Sequence, residues 1–361
     1  MGQAVLKGGI VGCGGVASAS HIPAFRALKK VQIVAVCDQR KEIAIETAKR
    51  FAIPRTYGDL SQMLGKEKLD FVDICSPPQT HFQLSMQAME AGLHVLVEKP
   101  MALSVSEADE MVSTSQRSKV KLCVVHNFLF TPIAQKTRFL VGSGAIGDLV
   151  SVEVKMLARR DGAISREEHW CHSLPGGIFG EYAPHAIYLL SAFLGSINSV
   201  RATTMKYSDF PWVIADELKV LLEAENGLGA FTVSCNSPRT SFTMDIFGTE
   251  RSLHLNNFTM SMIQHKSRGN RMIRDLAIDD LKSGLQLAIG AAASSLRTVF
   301  GRSSYESGHR VITQGFLNSI RDNTEPPVTG EAGREAIRIL EQMWKQMGQP
   351  KSSSPRKDSD E

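Results

Sequence analysis

Lys99 stands at the end of an apolar segment, where a charged amine could take part in chemistry. The run 93–98 is typical of a buried strand of a parallel sheet. The strand should end at Pro100, which has no N–H group to donate to a neighbouring strand. Ligands bind at the carboxyl ends of strands in open α/β sheets, and a partly desolvated lysine there could polarise or deprotonate a hydroxyl group. The alternative is a structural lysine that pairs with Glu98 and is hydrated at its tip.

A glycine-rich turn begins at Gly12, directly after the apolar run 6–11. Residues 12–17 read Gly-Cys-Gly-Gly-Val-Ala and fit G-x-G-x-x-A, a small-residue variant of the dinucleotide-binding fingerprint. Gly12 would allow the tight turn, Gly14 would let a pyrophosphate approach the backbone, and Ala17 would let the helix pack closely on the strand. Glycine clusters also occur in ordinary turns, so the interpretation depends on context. We expect cofactor contacts in the turn and the first helical turn, at Gly12, Gly14, Gly15 and Val16.

Asp38 follows a second apolar run, 31–37, and lies 24 residues after Gly14. This is about the spacing of the acid that binds the ribose hydroxyls of NAD. The alternative is a helix N-cap for a segment that begins near Lys41. Arg40 could hold the additional phosphate of NADP, but Asp38 should repel that phosphate. We therefore expect NAD rather than NADP, with both Asp38 and Arg40 in the cofactor site.

Strand-like and helix-like segments alternate over the first third of the chain. The alternation predicts an α/β fold of the Rossmann type, a doubly wound parallel sheet with helices on both faces. The predicted strands are 6–11, 31–37, 71–75, 93–99 and 120–125, and the predicted helices are 80–91 and 104–118.

A second α/β domain with a large, mostly antiparallel sheet should follow the first. Its segments are short and partly alternating, and Asn226-Gly227 between two apolar runs is a strong hairpin signal. The predicted strands are 150–157, 200–205, 218–223, 229–234, 242–247 and 252–255. The predicted boundaries are 1–125 for the cofactor domain, 126–348 for a substrate-binding and oligomerisation domain, and 349–361 for a disordered tail.

Glu181 and His185 lie four residues apart on a predicted helix, 180–194, and share one of its faces. A carboxylate beside an imidazole could orient the ring and raise its pKa, which suits a general base near neutral pH. The alternative is an ordinary helix-surface pair, worth about a few tenths of a kcal/mol. Pro184 within this segment predicts that the helix starts later or is kinked.

Together, these motifs resemble the glucose–fructose oxidoreductase and inositol dehydrogenase (Gfo/Idh/MocA) family. The resemblance is strong over about the first third of the chain, where Glu-Lys-Pro is its most specific motif, and looser beyond it. The segments that carry it are the turn 12–15, His21-Ile22-Pro23-Ala24, Ser76-Pro77-Pro78 with His81, Glu98-Lys99-Pro100, Gly176-Gly177, Glu181 with His185, and 325–330.

The resemblance implies an enzyme that transfers a hydride between NAD(P) and a secondary hydroxyl of a sugar, polyol or sugar derivative. It implies that Lys99 contacts both cofactor and substrate, that His185 is the acid/base, and that Glu181 is the acid accompanying it. We expect Lys99 and His185 to act on one hydroxyl in a site between the domains. The remaining cofactor contacts that we expect are Ser76, Pro77, Pro78, His81, Glu98 and Asn127.

Two positions depart from the family pattern. Tyr188 stands where an aspartate often follows the histidine, and residues 128–130 stand where an arginine often follows Asn127. Both positions usually face or support the substrate, so the identity of the substrate stays open. Two other functions also stay open: an NAD-dependent glycosidase of the same family, and a non-catalytic NAD-binding regulator.

Composition narrows the classes of function. The chain has 361 residues, 43% hydrophobic and 22% charged, with a net charge of +4. This is ordinary for a globular protein of two domains, and there is no basic run that would favour nucleic acid. Six cysteines are spread singly without zinc spacing, which indicates a reducing, cytoplasmic setting and no metal site. The apolar N-terminus is interpreted as the first strand rather than a signal peptide, and no stretch reaches the roughly 18 apolar residues of a membrane span.

The apolar segment 276–300 predicts a helix that packs on the sheet or against another subunit, with a peripheral membrane contact as the alternative. The broad antiparallel sheet needs a partner for its open face. We therefore expect a homodimer or homotetramer.

Overall fold

The computed structural model describes residues 4–266, 273–299, 304–347 and 351–352. The chain divides into two compact units. Unit 1 comprises Met1–Thr131 and Tyr305–Arg338, and unit 2 comprises Pro132–Ser304 and Ile339–Glu361. The first division between the units falls after Thr131, whereas the boundary predicted from the sequence follows residue 125. The late segment 305–338 makes its contacts within unit 1, whereas the sequence-based division placed it in the second domain.

Fourteen strands and ten α-helices are found in the described residues. The strands are β1 (Leu6–Val11), β2 (Val31–Cys37), β3 (Arg55–Tyr57), β4 (Phe71–Ile74), β5 (His94–Glu98), β6 (Leu122–Val125), β7 (Leu149–Arg159), β8 (Ile197–Lys206), β9 (Glu217–Ala224), β10 (Gly227–Ser237), β11 (Ser241–Gly248), β12 (Arg251–Asn256), β13 (Ser261–Lys266) and β14 (Lys351–Ser352). The helices are α1 (Ile22–Arg26), α2 (Lys41–Phe51), α3 (Leu60–Lys66), α4 (His81–Glu90), α5 (Val105–Arg117), α6 (Pro132–Gly142), α7 (Phe179–Leu194), α8 (Ile273–Val299), α9 (Ser304–Asp322) and α10 (Gly330–Gln346).

The sheet of unit 1 has six parallel strands in the order β3-β2-β1-β4-β5-β6. This confirms the predicted doubly wound sheet, and the first two strands end where their apolar runs end. In the core, Phe71 of β4 stacks on Phe25 of α1 at 5.4 Å between ring centroids, and Phe316 of α9 meets it edge-on at 5.8 Å. Helix α9 therefore completes the first core from the far end of the chain.

The sheet of unit 2 has eight strands in the order β13-β12-β11-β7-β10-β9-β8-β14. Its pairs are antiparallel except β7 with β10 and β8 with β14, so the predicted mostly antiparallel sheet is confirmed. The hairpin predicted at Asn226-Gly227 joins β9 to β10, with Gly227 paired to Ala224. Gly227 has a φ of +134°, a conformation that favours glycine.

Helix α7 packs on β7 and β10 of this sheet, and it is buried along most of its length. It begins at Phe179, so the expectation that Pro184 delays its start is wrong. Pro184 lies inside the helix, where its ring removes a single backbone hydrogen bond. Gly195, with a φ of +74°, ends the helix as predicted.

Helix α8 covers the segment predicted as helical, apart from Phe300, which lies outside the described residues. It packs on the edge strand β13, where a Cβ on Gly290 would come within 2.7 Å of the Ser261 side chain. The Gln286 side chain accepts from the Gln264 N–H at 3.0 Å. The predicted tail falls mostly outside the described residues, which include only 351–352 beyond residue 347.

Within residues 4–266, 273–299 and 304–347, no helix combines the length and apolar character that a bilayer crossing requires.

Candidate active site

The glycine turn leaves β1 at the carboxyl edge of the first sheet. Gly12 has a φ of +89°, and a Cβ there would lie 2.5 Å from the Ser76 nitrogen, so only glycine fits this close crossing of β1 and the exit of β4. Cβ atoms on Gly14 and Gly15 would meet nothing within 4 Å. The open backbone therefore suits a pyrophosphate at the start of a helix, as the fingerprint requires.

Asp38 lies directly after β2 and is held by two backbone donors. Its Oδ2 accepts from the Cys13 N–H at 2.9 Å, and its Oδ1 accepts from the Arg40 N–H at 2.9 Å. Arg40, not Asp38, is the N-cap residue of α2. The Asp38 side chain is 10% exposed, and Arg40 Nε pairs with Asp38 Oδ1 at 3.5 Å from a side chain that is 71% exposed. The carboxylate is therefore fixed beside the glycine turn, and the guanidinium lies on its solvent side.

The exit of β4 is a rigid turn built by Ser76, Pro77 and Pro78. The Thr80 hydroxyl donates to the Pro77 carbonyl at 2.9 Å and lies 2.7 Å from the Ser76 hydroxyl. Both prolines restrict the backbone here, since neither can donate an N–H group. The turn thus presents a fixed backbone beside the glycine turn.

His81 ties this turn to the segment after Lys99. Its Nε2 lies 2.8 Å from the Ser76 carbonyl oxygen and its Nδ1 lies 2.8 Å from the Pro100 carbonyl oxygen. Burial lowers the pKa of His81, and the two carbonyl oxygens oppose that shift. A neutral ring donates to one of these oxygens and a protonated ring to both. His81 therefore acts as a structural clamp between β4 and β5.

Lys99 follows β5 directly, as predicted, and only 8% of it is exposed. β5 pairs with β4 on one side and β6 on the other, so Lys99 lies at the carboxyl end of an interior strand. The Lys99 backbone N–H donates to Glu98 Oε2 at 3.1 Å, and the Lys99–Pro100 peptide is cis. This hydrogen bond to Glu98 comes from the lysine backbone.

Asn127 begins a helical turn after β6 and is 2% exposed. Gly308 of α9 lies against it, because a Cβ on Gly308 would come within 2.3 Å of the Asn127 carbonyl oxygen. Burial lowers the pKa of the preceding His126 to about 3, and the Glu98 charge opposes this shift. His126 is therefore neutral at ordinary pH.

In unit 2, His185 lies on α7 and is 8% exposed. Its Nδ1 forms a hydrogen bond of 2.8 Å with the Tyr188 hydroxyl, and the two rings meet edge-on. Tyr188 thus occupies, as a hydrogen-bond partner of the histidine, the position where the resemblance led us to look for an aspartate. Glu181 is partly buried one turn earlier, and after burial its charge helps raise the pKa of Cys171 to about 12.

Within unit 1, the predicted cofactor and lysine positions all belong to one sheet and its carboxyl-edge connections: Gly12, Gly14, Gly15, Val16, Asp38, Arg40, Ser76, Pro77, Pro78, His81, Glu98, Lys99 and Asn127. Glu181 and His185 belong to unit 2 and share α7. From the sequence, Tyr188 was noted as a departure from the family pattern, but its pairing with His185 was not predicted. No role was assigned to three residues that surround Glu98, which are His21, Asp73 and His309. Of these three, only His21 belongs to a motif noted in the sequence, His-Ile-Pro-Ala.

Comparisons with known proteins agree with this geometry. Residues 6–126 match the NAD-binding Rossmann domain model of the GFO/IDH/MocA oxidoreductase family, and residues 134–254 match a C-terminal domain model of the same family. Matches to the first three curated relatives cover 63%, 51% and 37% of those proteins' lengths.

Two named relatives act on sugars or sugar derivatives by their descriptions. D-apiose dehydrogenase of Paraburkholderia graminis is 38% identical over 39% of this chain and 37% of its own length. D-glucoside 3-dehydrogenase of Escherichia coli is 31% identical over 44% of this chain and 45% of its own length. The WlbA dehydrogenase of Bordetella pertussis, solved with NADH and UDP-GlcNAcA, has a TM-score of 0.76, with 21% identity over 95% of each chain. The glycine turn, the fixed Asp38 and both domain matches lead to one conclusion: this chain belongs to the GFO/IDH/MocA family of oxidoreductases, and its first unit is an NAD-binding Rossmann domain.

Proposed function

We propose that this protein is an NAD-dependent dehydrogenase that oxidises a secondary hydroxyl of a sugar, polyol or sugar derivative. The observation that carries the proposal is the placement of Lys99, a nearly buried amine at the carboxyl edge of the NAD-binding sheet. That edge is where ligands of such sheets bind. The sugar dehydrogenases among the relatives support the class of substrate.

Lys99 acts on the substrate hydroxyl through its ammonium group. A positive charge beside the hydroxyl lowers the pKa of that hydroxyl and stabilises the developing alkoxide. Because Lys99 is largely buried, its charge is screened less than on the surface. The chemistry that NAD supplies when bound is acceptance of a hydride from the alcohol carbon.

His185 accepts the hydroxyl proton. In the tautomer that serves this role, Nδ1–H donates to the Tyr188 oxygen, which leaves the lone pair on Nε2. Tyr188 therefore holds the ring orientation, and its hydroxyl accepts from Nδ1–H in the tautomer that leaves Nε2 free to take the proton. Glu181 supports the histidine from the preceding turn of α7, as an acid that favours the protonated ring after transfer.

The proposal is tested with a panel of sugars, polyols and nucleotide sugars, by following the absorbance of reduced nicotinamide. With the best substrate, His185→Ala should lower kcat by about 10²–10⁴-fold, the usual cost of losing a general base, while the Kd for NAD stays nearly unchanged. Lys99→Ala should lower kcat and also weaken NAD binding.

Matched controls come from residues of the same type elsewhere in each unit. Lys7→Ala, at the exposed position of the otherwise buried β1, and His254→Ala, on β12, should keep the activity of the wild-type enzyme. Near-full turnover by His185→Ala would refute the assignment of the base. Release of free sugar from a glycoside without net NADH would instead identify an NAD-dependent glycosidase.

A further inference from the structure

A cluster of buried polar side chains lies directly behind Lys99 in unit 1. Its members are His21, Asp73, Glu98 and His309, which we call the buried histidine–acid cluster; they are 1%, 0%, 8% and 2% exposed, respectively. They come from four separate elements, since His21 ends a π-helical turn before α1, Asp73 is on β4, Glu98 ends β5 and His309 is on α9. The mechanism proposed above uses none of them.

His21 bridges the two acids. Its Nδ1 lies 2.8 Å from Asp73 Oδ2, and its Nε2 lies 2.9 Å from Glu98 Oε1. Carboxylate oxygens only accept, and a neutral imidazole has one N–H to donate. Both bonds are therefore satisfied when the ring is an imidazolium between two carboxylates.

The charges around His21 favour that state. Burial alone would lower the pKa of His21, but the Asp73 charge and hydrogen bond hold it well above its ordinary value. Burial would raise the pKa of Glu98, but the hydrogen bonds from His21 and His309 hold it well below its ordinary value. Asp73 Oδ1 has no hydrogen-bond partner among the described residues. The buried negative charge of Asp73 is therefore compensated by His21.

The bridge continues to the lysine. Glu98 Oε1 accepts from His21, and its second oxygen, Oε2, accepts from the Lys99 backbone N–H at 3.1 Å. His309 adds a further polar neighbour, with its Nε2 3.7 Å from Glu98 Oε1 and its ring 5.1 Å from that of His21. His21 and His309 therefore hold the orientation of Glu98, and Glu98 in turn holds the Lys99 backbone.

The π-helical turn explains how His21 reaches this position. It covers Ala17–His21, directly after the glycine turn, and widens the helix by one residue over that turn. His21 is consequently turned into the core, where it meets β4 and β5. The helix that offers its N-terminus to the cofactor therefore also contributes the residue that supports Glu98.

We propose that His21 is a positioning residue for Lys99, acting as an imidazolium that locks Glu98 between β4 and the lysine backbone. The proposal rests on the proposed function, because Lys99 acts on the substrate there. The groups that face His21 are Asp73 and Cys75 from β4 and its exit, Glu98 from β5, and His309 from α9.

A metal ion is the competing occupant of this cluster. The ligand atoms of His21, Glu98 and His309 lie within 4.8 Å of one another. The direct contact of 2.9 Å between His21 Nε2 and Glu98 Oε1 has the length of a hydrogen bond. The proton of that bond lies between the lone pairs of Nε2 and Oε1 through which these residues would coordinate a metal. The geometry therefore favours the imidazolium.

The activity test is a double-mutant cycle with His21→Asn and Lys99→Ala, using the best substrate from the sugar panel. His21→Asn should lower kcat by about 10- to 100-fold, the scale of a small misplacement of a reacting group, with little change in KM for NAD. In the Lys99→Ala background it should have almost no further effect, because it acts through the lysine. A purely structural residue would lower kcat equally in both backgrounds, and that result would overturn the proposal.

The matched control is His254→Asn, which removes another histidine–carboxylate pair, with Asp245 on β11, and should leave kcat unchanged. A second measurement does not depend on activity or on a folded variant. In wild-type protein, ¹⁵N NMR should show both ring nitrogens of His21 protonated up to alkaline pH. A neutral ring, or a stoichiometric metal in the purified protein by mass spectrometry, would overturn the bridge even if the enzyme oxidises sugars. A protonated ring in a protein that oxidises no sugar would leave the bridge standing and refute the proposed function alone.

Discussion

At the scale of single residues, the hydroxyl of Tyr188 defines how His185 can work. A phenol orients the imidazole by a hydrogen bond but carries no charge at neutral pH. The imidazolium that forms after proton transfer is consequently stabilised less than it would be beside a carboxylate. This makes Tyr188 a natural place to tune the pH dependence of the enzyme.

We expect Tyr188→Asp to move the acidic limb of the pH–rate profile to higher pH. An added carboxylate stabilises the protonated ring, so the base becomes active only at higher pH. Tyr188→Phe should leave the limb nearly in place and lower kcat by roughly 2- to 10-fold, the value of one hydrogen bond. Profiles of kcat/KM against pH for the three proteins check this, and an unchanged limb in Tyr188→Asp would contradict it.

Asp38 should set the cofactor preference. Its carboxylate is nearly buried beside the glycine turn, whereas Arg40 is exposed, so a 2′-phosphate would meet the fixed negative charge first. We expect wild-type protein to bind NAD more tightly than NADP, and Asp38→Ser to narrow or reverse that preference. Dissociation constants measured by nicotinamide fluorescence test this, with Arg40→Ser as the control that should weaken NADP only. Tighter NADP binding by wild-type protein would mean that Arg40 governs the pocket.

At the scale of elements, the buried histidine–acid cluster ties a π-helical turn, two strands and α9 together by charge. The raised pKa of His21 makes the contribution of this cluster to stability depend on pH. A group whose pKa is higher in the folded than in the unfolded state stabilises fully below its unfolded pKa, about 6.5 for histidine, and less as pH rises toward the folded value.

We therefore expect the free energy of unfolding of the wild type to fall as pH rises above about 6.5, relative to His21→Asn. The limiting slope for one proton is about 1.4 kcal/mol per pH unit. Glu98, whose pKa is lowered, stabilises the folded state fully above its unfolded pKa of about 4.3. This contribution to the free energy of unfolding is lost progressively as pH falls below that value. Urea unfolding over a pH series measures both windows. Parallel curves for the two proteins above neutrality would show that His21 is not charged in the folded state.

The elements themselves were largely predictable, and the cluster was not. β1, β2 and α7 end at clear local signals, a glycine turn, an acid and Gly195. β3 escaped prediction because Arg55–Tyr57 is a short edge strand without an apolar run. The cluster joins positions 21, 73, 98 and 309, which share no spacing that periodicity could reveal. Tyr188 lies three residues after His185, a spacing that allows contact on a helix. Because tyrosine is uncharged, the sequence did not indicate that the two side chains would pair.

At the scale of the whole molecule, α8 carries an unusual apolar surface. Leu281, Leu285 and Ile289 follow one another at helical spacing and are 76%, 61% and 61% exposed. The helix packs on β13 through a neighbouring face that carries Gln286 and Gly290. Apolar stripes of this kind are commonly covered by a symmetric partner, which agrees with the expected homodimer or homotetramer.

We expect light scattering at micromolar concentration to give a mass of two or four chains. Leu281→Glu combined with Leu285→Glu should lower that mass, because two charges would be buried in the contact. Ile45→Glu, at an exposed position of α2, is the control that should keep the assembly. A wild-type monomer would refute oligomerisation, and an unchanged mass in the double variant would place the contact elsewhere.

Residues 305–338 belong to unit 1 although they come late in the chain, and this affects how unit 1 folds during synthesis. Domains fold as units while the N-terminal part leaves the ribosome first. The first 131 residues emerge without Phe316, so the ring of Phe71 lacks its edge-on partner, and without His309, so Glu98 lacks one of its neighbours. The six strands of the sheet are thus translated long before the core of unit 1 can be completed by residues 305–338. A nascent chain therefore carries an unfinished core from residue 131 until residues 305–338 are made, and the apolar surface exposed over that interval favours aggregation.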